Sequence, residues 1–325
     1  MVTLSTKYLG LNLKNPLIIS SSGLTSSVTK IRRFEELGAG AVVLKSLFEE
    51  QINFDAGVQV ENGIYPEAHD YITKYVKNNS VEEYLKLIEE AKKTVKIPVI
   101  ASINCMTAAE WVSFARDIEN AGADALELNI YFISLEKEMA SEKIEKLYYD
   151  LVSRIREVTP IPLAVKIGHQ FTNLPAVVNG LYVRGAKGVV LFNRFYEPDI
   201  DIEHLKLTSS NVFSSPSDIR QSLRWVGIIS EKIQHIDVAA STGIHDGNAV
   251  IKQILAGARA VQICSVLYQK GEGQVKVILD ELTAWMKSKG FNSPEDFRGR
   301  LSIRQIPDPS VYERSQFMKY FSSHN

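Results

Sequence analysis

Four segments of the chain share one grammar: Gly38-Ala-Gly-Ala-Val-Val-Leu-Lys45, Gly122-Ala-Asp-Ala-Leu-Glu-Leu-Asn129, Gly185-Ala-Lys-Gly-Val-Val-Leu-Phe-Asn193 and Gly257-Ala-Arg-Ala-Val-Gln-Ile-Cys264. Each opens with a Gly suited to the left-handed cap after a helix. An apolar run too short for another helix and rich in strand formers follows. Four further strands alternate with them: Pro16-Leu-Ile-Ile-Ser20, Pro98-Val-Ile-Ala-Ser102, Pro162-Leu-Ala-Val-Lys166 and Asp237-Val-Ala-Ala-Ser241. In three of these Pro comes first, where its missing N–H matters little. Helical patterns lie between the strands. Ser80-Val-Glu-Glu83 and Thr107-Ala-Ala-Glu110 read as capping boxes that open two of the helices.

Near-continuous apolar strands that alternate with amphipathic helices imply a parallel sheet covered by helices. Each strand type recurs at intervals of about 60 to 85 residues, a long-period repeat of paired βα units. Eight such units make a closed (β/α)8 barrel, the TIM barrel of the α/β class, which takes about 250 residues. The chain has 325 residues. The surplus is expected in an N-terminal hairpin, in insertions near 48–78 and 195–218, and in a tail from about 291. No linker divides the chain, so residues 1–325 read as a single domain.

The charge balance narrows the partners. There are 37 basic and 38 acidic residues, a formal net charge of −1, and no run of like charges that would mark a nucleic-acid or membrane surface. No apolar stretch is long enough to span a bilayer, and the start from Met1 to Asn15, MVTLSTKYLGLNLKN, lacks the apolar region of a signal peptide, so a cytoplasmic location is expected. Cys105 and Cys264 cannot build a disulfide framework, and no C-x-x-C pair suggests zinc. The six histidines show no H-E-x-x-H pairing, and no metal site is expected. There is no G-x-S-x-G elbow or phosphate-binding P-loop, and Gly38-Ala-Gly40 precedes a strand where a dinucleotide fingerprint would follow one.

In barrels of this type the chemistry sits at the C-terminal ends of the strands. In strand order those ends offer Ser20-Ser-Ser-Gly23, Lys45-Ser46, Asn104, Asn129, Lys166, Asn193-Arg194, Ser241-Thr-Gly243 and Cys264-Ser265. A lysine that ends an apolar strand needs an anion or acceptor beside it, unless it reaches out to the rim or pairs with a carboxylate. The turns after the last two strands offer hydroxyls and free N–H groups to a phosphate, a recurrent use of this position. His169 follows the fifth strand and is either an acid–base candidate or a polar loop residue.

Taken together, these residues resemble the dihydroorotate dehydrogenase family, flavin enzymes that oxidise dihydroorotate to orotate in pyrimidine synthesis. Asn15-Pro-Leu-Ile-Ile-Ser-Ser-Ser-Gly23 resembles the family's N-P-x-x-x-A-S-G, Lys45-Ser46 its K-S, and Glu127-Leu-Asn129 its E-L-N. Val165-Lys166, Asn193, Ser241-Thr-Gly-Ile244 and Gln262-Ile-Cys-Ser265 are similar to V-K, N-S, G-T-G-G-I and Q-I-G-T, and Glu295-Asp-Phe-Arg-Gly299 to the family's tail. The resemblance covers nearly the whole chain. It implies FMN as cofactor, with the phosphate on Thr242, Gly243, Cys264 and Ser265. Lys166 and Lys45 would lie near the ring, and Ser22, Gly23, Ser46 and Asn129 would complete the cradle. Lys45, Asn129, Asn193 and Arg194 would face a small-molecule substrate, and the protein would be a homodimer.

The match breaks after the fourth strand. Where the family reads E-L-N-L-S-C-P-N, with Cys or Ser as the base, this chain reads Glu127-Leu-Asn-Ile-Tyr-Phe-Ile-Ser134. Phe132 stands at the base position and has no proton to exchange, which leaves Tyr131 and Ser134 as neighbouring candidates and the catalytic residue unassigned. Ser134 also replaces the last Asn of that motif, and Arg194 replaces the Ser after Asn193. Arg194 is either a bidentate partner for a substrate carboxylate or a surface residue of the insertion. The family's N-S-M-G-L-P-N substrate element has no counterpart; Tyr65-Pro-Glu-Ala-His-Asp-Tyr71 stands in its region. The expected function is therefore an FMN-dependent oxidation of dihydroorotate or a related anionic substrate. The alternatives are a flavin-binding protein without dehydrogenase activity and a flavin-free, phosphate-handling barrel enzyme. A Schiff base on Lys166 has no further support. The chain carries no recognisable nicotinamide site, so use of NAD would need a partner subunit.

Overall fold

The computed structural model describes residues 2–48, 69–104 and 108–314. Eight parallel strands close into a barrel: β3 (Leu17–Ile19), β4 (Ala41–Val43), β6 (Val99–Asn104), β7 (Ala125–Asn129), β8 (Leu163–Ile167), β9 (Gly188–Leu191), β12 (Asp237–Ala240) and β13 (Ala260–Ile263). Each pairs with the next, and β13 returns to β3 to complete the ring. Six lie inside the segments expected from the repeat, β6 and β8 run on past theirs to Asn104 and Ile167, and three begin directly after Pro16, Pro98 and Pro162. The glycines before β4, β7, β9 and β13 have φ of 103°, 91°, 102° and 125° at Gly38, Gly122, Gly185 and Gly257. That left-handed region is where a residue with a Cβ is strained, so the repeat's Gly is a requirement of each helix-to-strand turn.

Alternation along the strands builds two apolar layers. One set of side chains packs outward against the helices, with Leu17, Val42, Val99, Leu126, Val165, Val189, Val238 and Val261 buried there. The other set faces the barrel axis and is small: Ile18, Ala41, Val43, Ile100, Ala125, Ala164, Val190, Ala239 and Ala260. A hairpin of β1 (Thr6–Tyr8) and β2 (Leu11–Leu13) packs Tyr8, Leu9 and Leu13 into this inner layer at the N-terminal end of the strands. The Leu9 N–H donates to Asp237 Oδ2 at 2.7 Å, which pins the hairpin to the start of β12. The small inner residues leave room for these three larger ones.

Helices α1 (Val28–Glu36), α2 (His69–Thr94), α3 (Ala108–Asn120), α4 (Ser141–Val158), α5 (Leu174–Val183), α6 (Ile219–Lys232), α7 (Gly247–Ala256), α8 (Ser265–Lys270) and α9 (Gln274–Lys289) surround the barrel. Ser80 does not open a helix: α2 runs unbroken from His69, so the box at 80–83 lies in a helix interior. The pattern is local, and nothing in it reports the turns that precede it. The box at Thr107 and the Cys105 position lie outside the described residues. So do residues 49–68 of the first expected insertion; on either side of them β5 (Leu47–Phe48) extends the β4 side of the barrel along β6, and α2 begins at His69. The second insertion is a two-stranded antiparallel hairpin, β10 (Pro198–Asp201) and β11 (Lys206–Ser209), with Ile200, Leu205 and Leu207 exposed. In the tail, Phe297 is fully buried against Trp285. No helix among the described residues is long and apolar enough to cross a membrane.

Candidate active site

The C-terminal ends of the strands open into a cavity of about 590 Å³, within the range of small-molecule and cofactor sites. Its floor is polar. Lys166, at the end of β8, is 5% exposed, and its ammonium donates to Ser20 Oγ at 3.0 Å and to Gln262 Oε1 at 2.9 Å. The other end of the Gln262 amide donates to Glu127 Oε2 at 2.5 Å. Glu127 Oε1 lies 3.6 Å from the lysine nitrogen. The lysine at the end of an apolar strand is therefore paired with a carboxylate and also borders the cavity. Gln262 and Glu127 were not singled out as site residues, although alternation could have found them: each lies two positions before an expected site residue, Cys264 and Asn129, on the same face of its strand.

One rim is made by the loops after β12 and β13. Thr242 has φ +71° and donates its hydroxyl to the Phe192 carbonyl at 3.1 Å. Gly243 follows with φ +79°, and a Cβ there would stand 2.2 Å from the Ile219 nitrogen at the start of α6. Ser214, from the second insertion, sits among these loops. It accepts from the Gly243 N–H at 3.3 Å, donates its own N–H to Ser265 Oγ at 3.0 Å, and lies 3.1 Å from His245 Nε2. Burial holds the His245 ring below its ordinary value, and the Lys270 charge pushes the same way. Burial also raises the Cys264 thiol, opposed by the Ser22 hydroxyl and the Lys166 charge. Phe195, Tyr196, Phe213 and Tyr268 give the cavity an aromatic flank, with Phe213 and Tyr268 stacked at 5.3 Å. The insertion is thus part of the site, which its exposed, alternating sequence did not signal.

Of the residues expected from sequence, Lys166, Asn193, Arg194, Thr242, Gly243, Cys264 and Ser265 line this cavity. Three more stand one hydrogen bond behind its lining or beside it. Asn129 accepts from Asn193 at 2.9 Å, Ser46 bonds Ser21 at 2.9 Å, and Ser22 caps the Gly23–Thr25 turn. A Cβ at Gly23 would come within 3.1 Å of the Tyr268 hydroxyl. Lys45 is exposed and does not border the cavity. Arg194 borders it but is already engaged: it bonds Asp218 at 3.0 Å and the Asn211 carbonyl, tying the insertion to the barrel rim. His169 lines a neighbouring polar cleft of about 450 Å³ with Arg194, Asp218 and Arg220.

The loop after β7 is arranged differently. Phe132 packs edge-on against Tyr148 of α4 at 5.2 Å, in the outer layer. Burial pushes the Tyr148 hydroxyl up to about 12. Tyr131 stacks on Phe195 at 3.7 Å, and its hydroxyl donates to Gln170 at 3.0 Å. Ser134 is exposed, and its oxygen accepts from the Glu136 N–H at 3.3 Å. None of the three lines the 590 Å³ cavity.

The donor set suits the FMN that the sequence resemblance implies. The rim presents N–H and hydroxyl groups where a phosphate needs donors, the floor holds a buried ammonium, and the flank is aromatic. The Gly243 N–H meets Ser214 at 3.3 Å, at the long end of the hydrogen-bond range. No group of three or more metal-ligating side chains occurs among the described residues.

Comparison with known proteins agrees with this geometry. The family profile described as dihydroorotate dehydrogenase matches residues 3–286. The chain is 27% identical over 308 residues to a protein of Thermoplasma acidophilum named dihydroorotate dehydrogenase B (NAD(+)), catalytic subunit, covering 92% of this chain and 99% of that one. Proteins of the same name from Methanocaldococcus jannaschii (26% over 306 residues, 90% and 96% covered) and Pyrococcus horikoshii (28% over 304 residues, 91% and 97% covered) are similarly related.

Proposed function

Because the chain belongs to the dihydroorotate dehydrogenase family, we propose that it is an FMN-dependent oxidoreductase that oxidises dihydroorotate or a related small anionic substrate. The observation that carries this reading is the buried Lys166 ammonium at the floor of a cavity whose rim offers Gly243 and Ser265 donors. Bound FMN would supply the hydride acceptor, taking two electrons from a substrate carbon. The Gly243 N–H and the Ser265 and Ser214 hydroxyls would hold its phosphate. Lys166 would place positive charge beside the ring and favour its reduced anionic form. Asn193 and Asn129, linked to each other, would orient the substrate at the mouth, and the aromatic flank would exclude water. The protein would act in the cytoplasm as a homodimer, and use of NAD would require a partner subunit that brings the nicotinamide site.

The proton that leaves the substrate needs a base, and Tyr131, Phe132 and Ser134 do not border the cavity. That observation favours a second reading, in which the chain binds FMN without oxidising dihydroorotate. The visible spectrum of the purified protein, followed by anaerobic addition of dihydroorotate, separates the two. Flavin bands that bleach support the dehydrogenase, and bands that persist support the silent protein or a different substrate. Absence of bands after reconstitution with FMN rejects both and favours a flavin-free barrel enzyme.

A further inference from the structure

The ion pair under the cavity is not explained by stability. A buried pair is commonly no better than well-packed apolar residues, and this one leaves Glu127 Oε1 without a hydrogen-bond partner among the described residues. Glu127 is 1% exposed and does not border the cavity, so it cannot touch a ligand there. The buried Tyr8 hydroxyl, also without a partner among the described residues, is near enough to feel the same charge. What the carboxylate reaches are Gln262 and, beside it, Lys166.

The hydrogen bonds fix how it does so. Donation from Gln262 Nε2 to the carboxylate sets the orientation of that amide, which turns Oε1 toward the lysine. Ser20 also donates to Gln262 Oε1 and accepts from the lysine. An ammonium has three protons to give. Two are taken by neutral oxygens, and the carboxylate oxygen at 3.6 Å lies beyond hydrogen-bond range while it acts on the charge. Lys166 also lines the cavity, so a group bound there can take its third proton.

We propose that Glu127 is a positioning residue that acts through Lys166: with Gln262 it aims the ammonium into the cavity, and its own charge offsets part of the positive field that a bound flavin meets. This rests on the FMN reading. On this account Glu127 holds the flavin's midpoint potential below the value that an uncompensated lysine would give.

The test uses the full chain reconstituted with FMN, comparing wild type with Glu127→Gln, which keeps shape and hydrogen bonding and removes the charge. Oxidised FMN is expected to bind both within a few-fold, while the two-electron midpoint potential rises by about 30 mV in the variant, the equivalent of roughly tenfold in the reduction equilibrium. The double variant Glu127→Gln/Lys166→Met buries no charge, so it keeps the test open if Glu127→Gln alone does not fold. Its potential should fall below wild type by less than the loss of an uncompensated lysine would give, because the opposing carboxylate charge is removed with it. An unchanged potential in Glu127→Gln, or a double variant whose potential drops as if an uncompensated lysine were lost, overturns the inference and leaves the FMN reading intact. A wild-type protein that takes up no FMN removes the FMN reading and this inference with it.

Discussion

The floor and rear rim of the cavity and the loop after β7 lie at the same end of one barrel and are built by opposite means. On the first side, short strand-end groups are buried and bonded to one another: Lys166 to Ser20 and Gln262, Gly243 to Ser214, and Ser214 to Ser265. On the second, Ile133 and Leu135 are 66% and 94% exposed, Phe132 turns outward onto Tyr148, and Ser134 bonds within its own loop. The difference teaches that the cofactor-type platform is fixed by the barrel itself. The loop after β7, where the sequence resemblance would put the proton-transfer residue, is held through Phe132 and Tyr131 and otherwise exposed.

The comparison breaks most sharply at Lys166. Replacing it with Ala leaves the Glu127 carboxylate buried without its partner, and urea unfolding should register a loss of about 3 to 5 kcal/mol. A loss under 1 kcal/mol would mean that the floor is no more tightly built than the loop. Gly243→Ala comes next: the left-handed φ alone is worth about 1 to 2 kcal/mol, and the new methyl would press on the Ile219 backbone. Weaker FMN retention should accompany the lowered melting temperature, both read in one thermal scan.

On the loop side, Phe132→Ser restores a hydroxyl at the family's base position without restoring its direction. Turnover of dihydroorotate should change by less than about twofold, while stability falls by about 1 to 2 kcal/mol as the half-buried contact with Tyr148 is lost. A large gain in turnover would show that the loop reaches the cavity after all. The smallest effect is at His245. Burial lowers its folded value, so the unfolded chain takes up the proton first. Stability is then full above about pH 6.5, the ordinary histidine value, and declines as the pH falls below it. His245→Gln, measured by unfolding at several pH values, should flatten that decline.

The barrel was legible because its signals are local and repeated. A Gly that must adopt positive φ, an apolar run and a polar strand end recur in order, and a closed ring is the arrangement that pairs all eight strands. The rim residues were legible for the same reason, since strand ends converge by topology. Glu127 was harder to see because a carboxylate within an apolar strand gains meaning only from the residue across the barrel. Ser214 is harder still: 50 residues separate it from the Ser265 hydroxyl it meets, and its own segment reads as an ordinary exposed turn. The start of α2 shows the converse error, in which a good capping sequence at Ser80 is overruled by helix that continues upstream.

Among the described residues, Tyr8, Leu9 and Leu13 close the N-terminal end of the barrel and leave the mouth as the way in. With the far end stoppered, whatever reaches the buried lysine arrives through the mouth and departs the same way. Two reactants that must both meet one bound cofactor there would have to queue, the first product leaving before the second reactant enters. Their kinetics would then take the ping-pong form, with parallel lines in a double-reciprocal plot.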